Sequence, residues 1–164
     1  MHAISRSQRM ERMSEYLNCE TARSLELLRQ IDGTVEALVL LRRQMDALSE
    51  AFGSLLSRFN NNPPTGPIPE DVVVPTLEES QDSLRKMHAE LARRSACAKA
   101  DTVLTLDDGV VDAYEQAIDA VISLNQVIEQ TRWALLEHNA DSEGSHEPHV
   151  LRSDEEIEDF IRAL

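Results

Sequence analysis

The sequence predicts an all-α protein in which a long coiled-coil-type helix packs with two shorter helices as an elongated helical hairpin or bundle, followed by a short C-terminal amphipathic helix. Three observations support this prediction. Apolar side chains recur at helical spacing from Met10 to Phe59. Five of the six prolines are confined to residues 60–75, which leaves the other segments free to be helical. Two segments begin with a Ser or Thr followed three residues later by Glu, which is the capping box of a helix N-terminus.

Residues 1–59 contain the clearest heptad pattern and are predicted to form the long N-terminal coiled-coil helix. Gly33 would allow a turn that splits this segment into two helices, but the apolar register passes through it unshifted. We therefore expect one continuous helix, which would span about 75 Å over 50 residues. Its predicted core row, to be covered by other helices, consists of Ile31, Val35, Leu38, Met45, Leu48, Phe52, Leu55 and Phe59.

The middle of the chain is predicted to be a linker followed by a helical hairpin. Residues 60–75 form the proline-rich linker, part of it in polyproline II geometry. Residues 76–139 form two helices that pack on the first, the first of them opening with the capping box of Thr76 and Glu79. The register breaks around Asp107-Asp108-Gly109, where the next helix begins, and that helix is expected to end near His138. A polar linker, residues 140–152, follows.

Residues 153–164 are predicted to form an acidic amphipathic helix that opens with a capping box of Ser153 and Glu156. A helix of about 11 residues is marginal in isolation, so we expect it to pack on its own bundle or in a partner's groove. Trp133, the single tryptophan, is expected either to pack in the core, which we favour, or to be an exposed interface anchor. The predicted protein-binding residues are Ile157, Phe160, Ile161, Leu164, Glu155, Glu156 and Trp133.

The formal net charge of −14 is concentrated in the C-terminal part, since residues 106–164 carry three basic and fifteen acidic side chains. This charge disfavours direct nucleic-acid binding, which depends on Lys and Arg displacing counterions from phosphates. It favours a protein partner with a basic surface. The sequence has no membrane-spanning run of about 18 apolar residues and no apolar stretch of a secretory signal near Met1, so a cytoplasmic location is expected. The isolated Cys19 and Cys97 are expected to remain reduced thiols.

Two constellations could support chemistry. Four carboxylates at positions 108, 112, 115 and 119 share one side of a helix and could hold a divalent cation. This row resembles part of the helical metal-dependent nucleotide hydrolases, although their usual paired acidic motifs are absent. Arg132 and His138 have a spacing that is similar to the signature of HEPN-type ribonucleases, in which the two side chains act on a phosphodiester. A solvated acidic face and a chance spacing are the simpler interpretations, which we favour.

The sequence therefore favours a non-enzymatic helical protein–protein interaction module, such as a scaffold subunit, an adaptor or an acidic inhibitor or antitoxin. It is expected to self-associate, with a dimer as the expected form, and to bind a basic partner protein without a cofactor. The alternative is a small helical-bundle metal-dependent nucleotide hydrolase or a HEPN-like ribonuclease. The heptad row and the amphipathic tail support the first hypothesis, and the weak catalytic spacings support the second.

Overall fold

The computed structural model describes residues 6–105 and 109–144, and this part of the chain is all-α. Its four helices are α1 (Arg6–Gln30), α2 (Val35–Asn61), α3 (Glu70–Thr105) and α4 (Gly109–Gly144). They form a bundle with a common apolar core. The predicted all-α fold class is confirmed.

α1 and α3 are neighbours that run in the same direction. Near the middle of α1, the Nδ2 of Asn18 donates to the Oε2 of Glu79 at 2.8 Å. Near its end, the Nη2 of Arg94 donates to the carbonyl of Leu28 at 2.7 Å. Because both residue numbers increase together between the two contacts, the helices are parallel.

α2 and α4 form a second parallel pair that runs opposite to the first. The Nη1 of Arg42 donates to the Oε1 of Gln116 at 2.7 Å, and further along the rings of Phe59 and His138 meet edge to face with centroids 5.2 Å apart. α3 also packs along α4, whereas α1 has far less contact with α2. The order around the bundle is therefore α1, α3, α4, α2. One end carries Gly33, and the proline-rich end carries the connection of residues 62–69.

The prediction of one continuous helix across Gly33 is wrong. Gly33 has a φ of 74°, and an added Cβ would collide with the hydroxyl of Tyr114, so only glycine fits this turn. Thr34 caps α2, since its Oγ1 accepts a hydrogen bond from the N–H of Ala37 at 3.2 Å. The spacing of apolar residues continues on both sides of the turn because α1 and α2 are two helices that face one core.

The turn also exposes one residue of the predicted core row. Val35 begins α2 and is 38% exposed, because the turn at Gly33 reorients the chain and the buried row of the new helix starts at Leu38. Ile31 lies in the connection, half-buried against the core. The other residues of the predicted row are buried, namely Leu38, Met45, Leu48, Phe52, Leu55 and Phe59.

α3 begins at Glu70, six residues before the predicted start. The carbonyl of Pro69 accepts the first hydrogen bonds of the helix, from Val72 at 3.2 Å and from Val73 at 2.9 Å. Pro75 lies in the second turn of the helix, where it removes the hydrogen bond that residue 75 would otherwise donate to the carbonyl of Asp71. The predicted capping role of Thr76 is wrong, because its hydroxyl donates back to the carbonyl of Val72 at 2.8 Å.

The proline-rich connection is fastened to α4 by Asn139, which is buried. Asn139 accepts from the N–H of Ile68 at 2.7 Å and donates to the Ile68 carbonyl at 2.7 Å and to Glu70 at 2.9 Å. α4 continues through Gly144, past the predicted end near His138, so residues 140–144 are helical and not part of a linker. The predicted C-terminal helix, residues 153–164, lies outside the described residues.

Candidate protein interaction surfaces

The two side chains of the ribonuclease-like spacing have different structural partners. The Nη1 of Arg132 donates to the Oε1 of Gln81 and to the Oε2 of Glu129, both at 3.0 Å, which directs the guanidinium toward α3. The Nε2 of His138 lies 2.9 Å from the carbonyl oxygen of Gly66 in the connection, and the His138 ring packs on α2. The structure therefore gives each residue a packing role and does not join them in one site.

The carboxylate row of α4 does not form a cluster. Asp112, Glu115 and Asp119 are exposed, and Glu115 is paired with Lys99 at 3.3 Å. Asp108 lies outside the described residues. Within residues 6–105 and 109–144, no group of three or more His, Cys, Asp or Glu side chains is placed to hold a metal ion. The described part of the row is a solvated acidic face.

Trp133 is 61% exposed, so the expectation that it packs in the core is wrong. It lies one helical turn after Glu129, on the outer side of α4. The pKa of Glu129 is lowered by a hydrogen bond from Gln81, by the nearby charge of Arg132 and by a hydrogen bond from Trp133. Burial of Glu129 opposes this shift. The indole ring therefore faces solvent, where a partner could cover it as an interface anchor.

The face between α1 and α2 is the least covered side of the bundle. Its centre is a hydrogen bond from the Nε2 of Gln44 to the Oε2 of Glu20 at 3.0 Å, which shows that these two positions face each other. Residues three, four or seven positions away lie on the same side of a helix. We define the α1/α2 face by these rows, which consist of Tyr16, Glu20 and Leu27 on α1 and Leu40, Gln44 and Ala47 on α2.

Large apolar side chains on the α1/α2 face are exposed. Tyr16 is 53% exposed, Leu27 is 46% exposed and Leu40 is 64% exposed, and Ala47 is exposed as well. Single exposed apolar residues are ordinary, but a group of them on one helix pair is a feature of interaction sites. The low contact between α1 and α2 leaves this group uncovered by the other helices of the bundle, so another helix could pack on it.

Sequence reasoning missed the buried row of α1. Ser14, Thr21 and Ser24 are completely buried, and they alternate with Met10, Leu17 and Leu28 at heptad spacing. The hydroxyl of Ser14 donates to the carbonyl of Met10 at 2.8 Å, and that of Thr21 to the carbonyl of Asn18 at 3.1 Å. The heptad spacing was available as a signal, but hydroxyl residues do not register as apolar.

None of the described helices combines the length and the apolarity that crossing a membrane requires. Comparison of the chain with protein-family models, with curated proteins and with solved structures finds no match.

Proposed function

We propose that this chain is a non-enzymatic helical interaction module that self-associates through the α1/α2 face and binds a protein partner with a basic surface. A scaffold subunit, an adaptor and an acidic inhibitor or antitoxin all fit this description. The observation that carries the proposal is the group of exposed apolar side chains on a face that its own bundle leaves uncovered.

A second copy of the chain suits the α1/α2 face because the face is self-complementary about its centre. We measure positions along the helix axis from the Glu20–Gln44 hydrogen bond, at 1.5 Å per residue. Leu27 lies about 10 Å from this centre and Leu40 lies about 6 Å from it, both toward the Gly33 end. Tyr16 and the small Ala47 lie on the opposite side of the centre. A two-fold axis through the centre would place Leu27 and Leu40 of one copy against Tyr16 and Ala47 of the other, which is an isologous interface.

The exterior of α4 supports the second part of the proposal. α4 carries seven acidic residues and a single basic residue, Arg132, which is already bonded to Glu129. The exposed Trp133 stands beside these charges. Acidic residues steer a basic surface toward the protein, and an aromatic side chain among them provides a desolvated anchor.

Self-association is tested by measuring molar mass with light scattering on size exclusion. The wild-type chain is expected at about twice its mass of 18.4 kDa. Leu27→Glu with Leu40→Glu places two charges in the interface and should return the chain to monomer mass. The matched control, Val72→Glu with Ile122→Glu, changes two exposed apolar residues outside the face and should leave the mass unchanged. Equal masses for the two variants would refute the role of this face.

Partner binding is tested by affinity capture from the cells that produce the protein, followed by measurement of the captured protein with purified components. The proposal expects a partner whose isoelectric point is basic and whose binding weakens as salt rises. Trp133→Ala should weaken binding at least about tenfold, in the range of an interface anchor. Val72→Ala, which truncates an exposed apolar residue of α3 outside the α1/α2 face, is the control. Equal binding by both variants would refute the role of α4.

A further inference from the structure

A basic groove lies between the start of α1 and the end of α2, at the proline-rich end of the bundle. Its rim carries Arg6, Arg9 and Arg58, and it has a volume of about 280 Å³. Arg6 donates to the carbonyl of Pro63 at 3.1 Å, which is an uncharged acceptor. None of the ion pairs among the described residues involves these three arginines.

The floor of the groove is apolar. It is formed by Met10, Leu55 and Phe59 of the core. Its volume exceeds the roughly 150 Å³ of an apolar cavity that holds one benzene ring. The groove can therefore receive an aromatic side chain while the three arginines contact carboxylates around it.

The chain itself contains a segment with the complementary chemistry. Residues 153–164 (SDEEIEDFIRAL) carry five carboxylates against one arginine, with four apolar side chains at the spacing of one helical face. Phe160 is the aromatic residue of that apolar set. Its charge and its apolar pattern both match the groove.

The segment begins close enough to reach the groove. α4 passes the groove floor at His138, whose ring contacts Phe59, and it ends six residues later at Gly144, about 9 Å further along the helix axis. Residues 145–152 can span up to about 26 Å when extended. This span exceeds the distance along the helix axis from Gly144 back to His138, so the tail can reach the groove of its own chain.

We propose that the acidic tail, Ser153–Leu164, docks in the basic groove of its own chain, with Phe160 on the floor of Met10, Leu55 and Phe59. A short tether gives the tail an effective concentration on the order of millimolar at the groove, which favours its own chain over a second copy. The inference deepens the proposed function, because a basic partner that takes the tail must compete with this groove. Docking itself is measured with no partner present, so either proposal can fail alone.

The experiment is hydrogen exchange of the full-length chain, read by mass spectrometry on peptides from the tail. An effective concentration on the order of millimolar and an affinity of about 0.1 mM would keep about nine-tenths of the tails docked and slow their exchange about tenfold. Arg9→Glu with Arg58→Glu should remove this protection. Arg29→Glu with Arg43→Glu makes the same charge change on the same two helices away from the groove, and it should retain the protection.

Three results would overturn the proposal. The first is exchange of the wild-type tail at the rate of an unstructured peptide. The second is equal protection in the groove variant and its charge-matched control. The third is protection that rises with protein concentration, which would assign the tail to a second copy. Circular dichroism of each variant establishes that the bundle is intact, and Phe160→Ser provides an independent loss of docking with no change in the groove.

Discussion

α1 and α2 each bury a row of side chains at heptad spacing, but the two rows differ in polarity. The buried row of α1 alternates hydroxyl and apolar residues, whereas that of α2 is entirely apolar, with Phe52 and Met45 completely buried. A Ser or Thr side chain is smaller than a Leu, Met or Phe side chain, so the row of α1 buries less apolar surface than the row of α2. The difference shows that one bundle can combine a partly polar buried row on one helix with an entirely apolar row on the next.

The difference has consequences for stability. Burial of apolar surface stabilises by about 25 cal/mol per Å², so the row of α2 contributes more through the hydrophobic effect. α1 depends more on specific polar contacts, including those that Arg94 of α3 makes with the end of α1. Substitutions in the two helices should therefore differ in size and in mechanism.

The largest effect is expected from Phe52→Ala on the apolar side of the comparison. Phe52 is completely buried, so the truncation leaves a cavity and should lower the free energy of unfolding by about 3–5 kcal/mol. Urea denaturation followed by circular dichroism measures this loss. Val35→Ala in the same helix is the control, because Val35 is exposed and lies outside the α1/α2 face, so its truncation should cost less than about 0.5 kcal/mol. A loss below about 1 kcal/mol for Phe52→Ala would contradict a close-packed α2 row.

A smaller effect is expected from Arg94→Met at the end of α1. Arg94 donates to the carbonyls of Leu28 and Ile31 at 2.7 and 3.0 Å, so its loss leaves two carbonyls at a helix terminus without these bonds. The expected cost is about 1–3 kcal/mol by urea denaturation. Arg93→Met removes a neighbouring arginine that bonds to Glu90 and to no backbone carbonyl of the described residues, and it should cost under about 1 kcal/mol. Similar losses in both variants would mean that α1 does not depend on this contact.

The same arginine connects α1 to acid stability through Glu90. Hydrogen bonds from Arg93 and Arg94 lower the pKa of Glu90 from 4.5 to about 2. Because the folded pKa is the lower one, the stabilisation is complete above about pH 4.5 and is lost as the pH falls toward 2. Glu90→Gln should therefore be less stable than wild type at pH 6, and the difference should shrink steadily below pH 4.5. A difference independent of pH would show that the charge of Glu90 is not responsible.

The smallest effect, of opposite sign, is expected from Ser24→Ala. The hydroxyl of Ser24 is completely buried with no hydrogen-bond partner among the described residues. Removing an unsatisfied hydroxyl, and gaining helix propensity, should stabilise the protein by about 0.5–1 kcal/mol. Ser14→Ala is the comparison, because that hydroxyl is bonded to a backbone carbonyl, and its gain should be smaller. Thermal denaturation resolves the order, and a destabilised Ser24→Ala would indicate that the hydroxyl has a partner in solution.

The sequence predicted the all-α class and most of the α2 core row because large apolar residues repeat there without interruption. It missed the α1 row because the burial of a hydroxyl residue depends on how the neighbouring helices pack, which is a tertiary property. The turn at Gly33 was missed for a related reason. Its need for glycine comes from Tyr114, which is 81 positions later in the chain and invisible to local patterns.

The interaction surfaces were less accessible to sequence reasoning. Trp133 could be identified as a candidate, but whether it is buried depends on which side of α4 meets α3. The α1/α2 face could not be predicted, because it exists only where two helices of one hairpin are held apart by their neighbours. The basic groove joins Arg6 and Arg58 from distant parts of the chain, and the proline-rich residues beside them were expected to form only a linker.

The most direct test of the central claim is the distance between two copies of the chain, measured by pulsed electron paramagnetic resonance. Cys19 is exposed and lies one residue from Glu20 at the centre of the α1/α2 face, so it can carry a spin label once Cys97 is replaced by Ser. Two helix pairs packed face to face, with axes about 8–10 Å apart, would place the labels within about 35 Å. Association through the α1/α2 face predicts this short distance, and a distance above about 45 Å or no coupling between copies would contradict it.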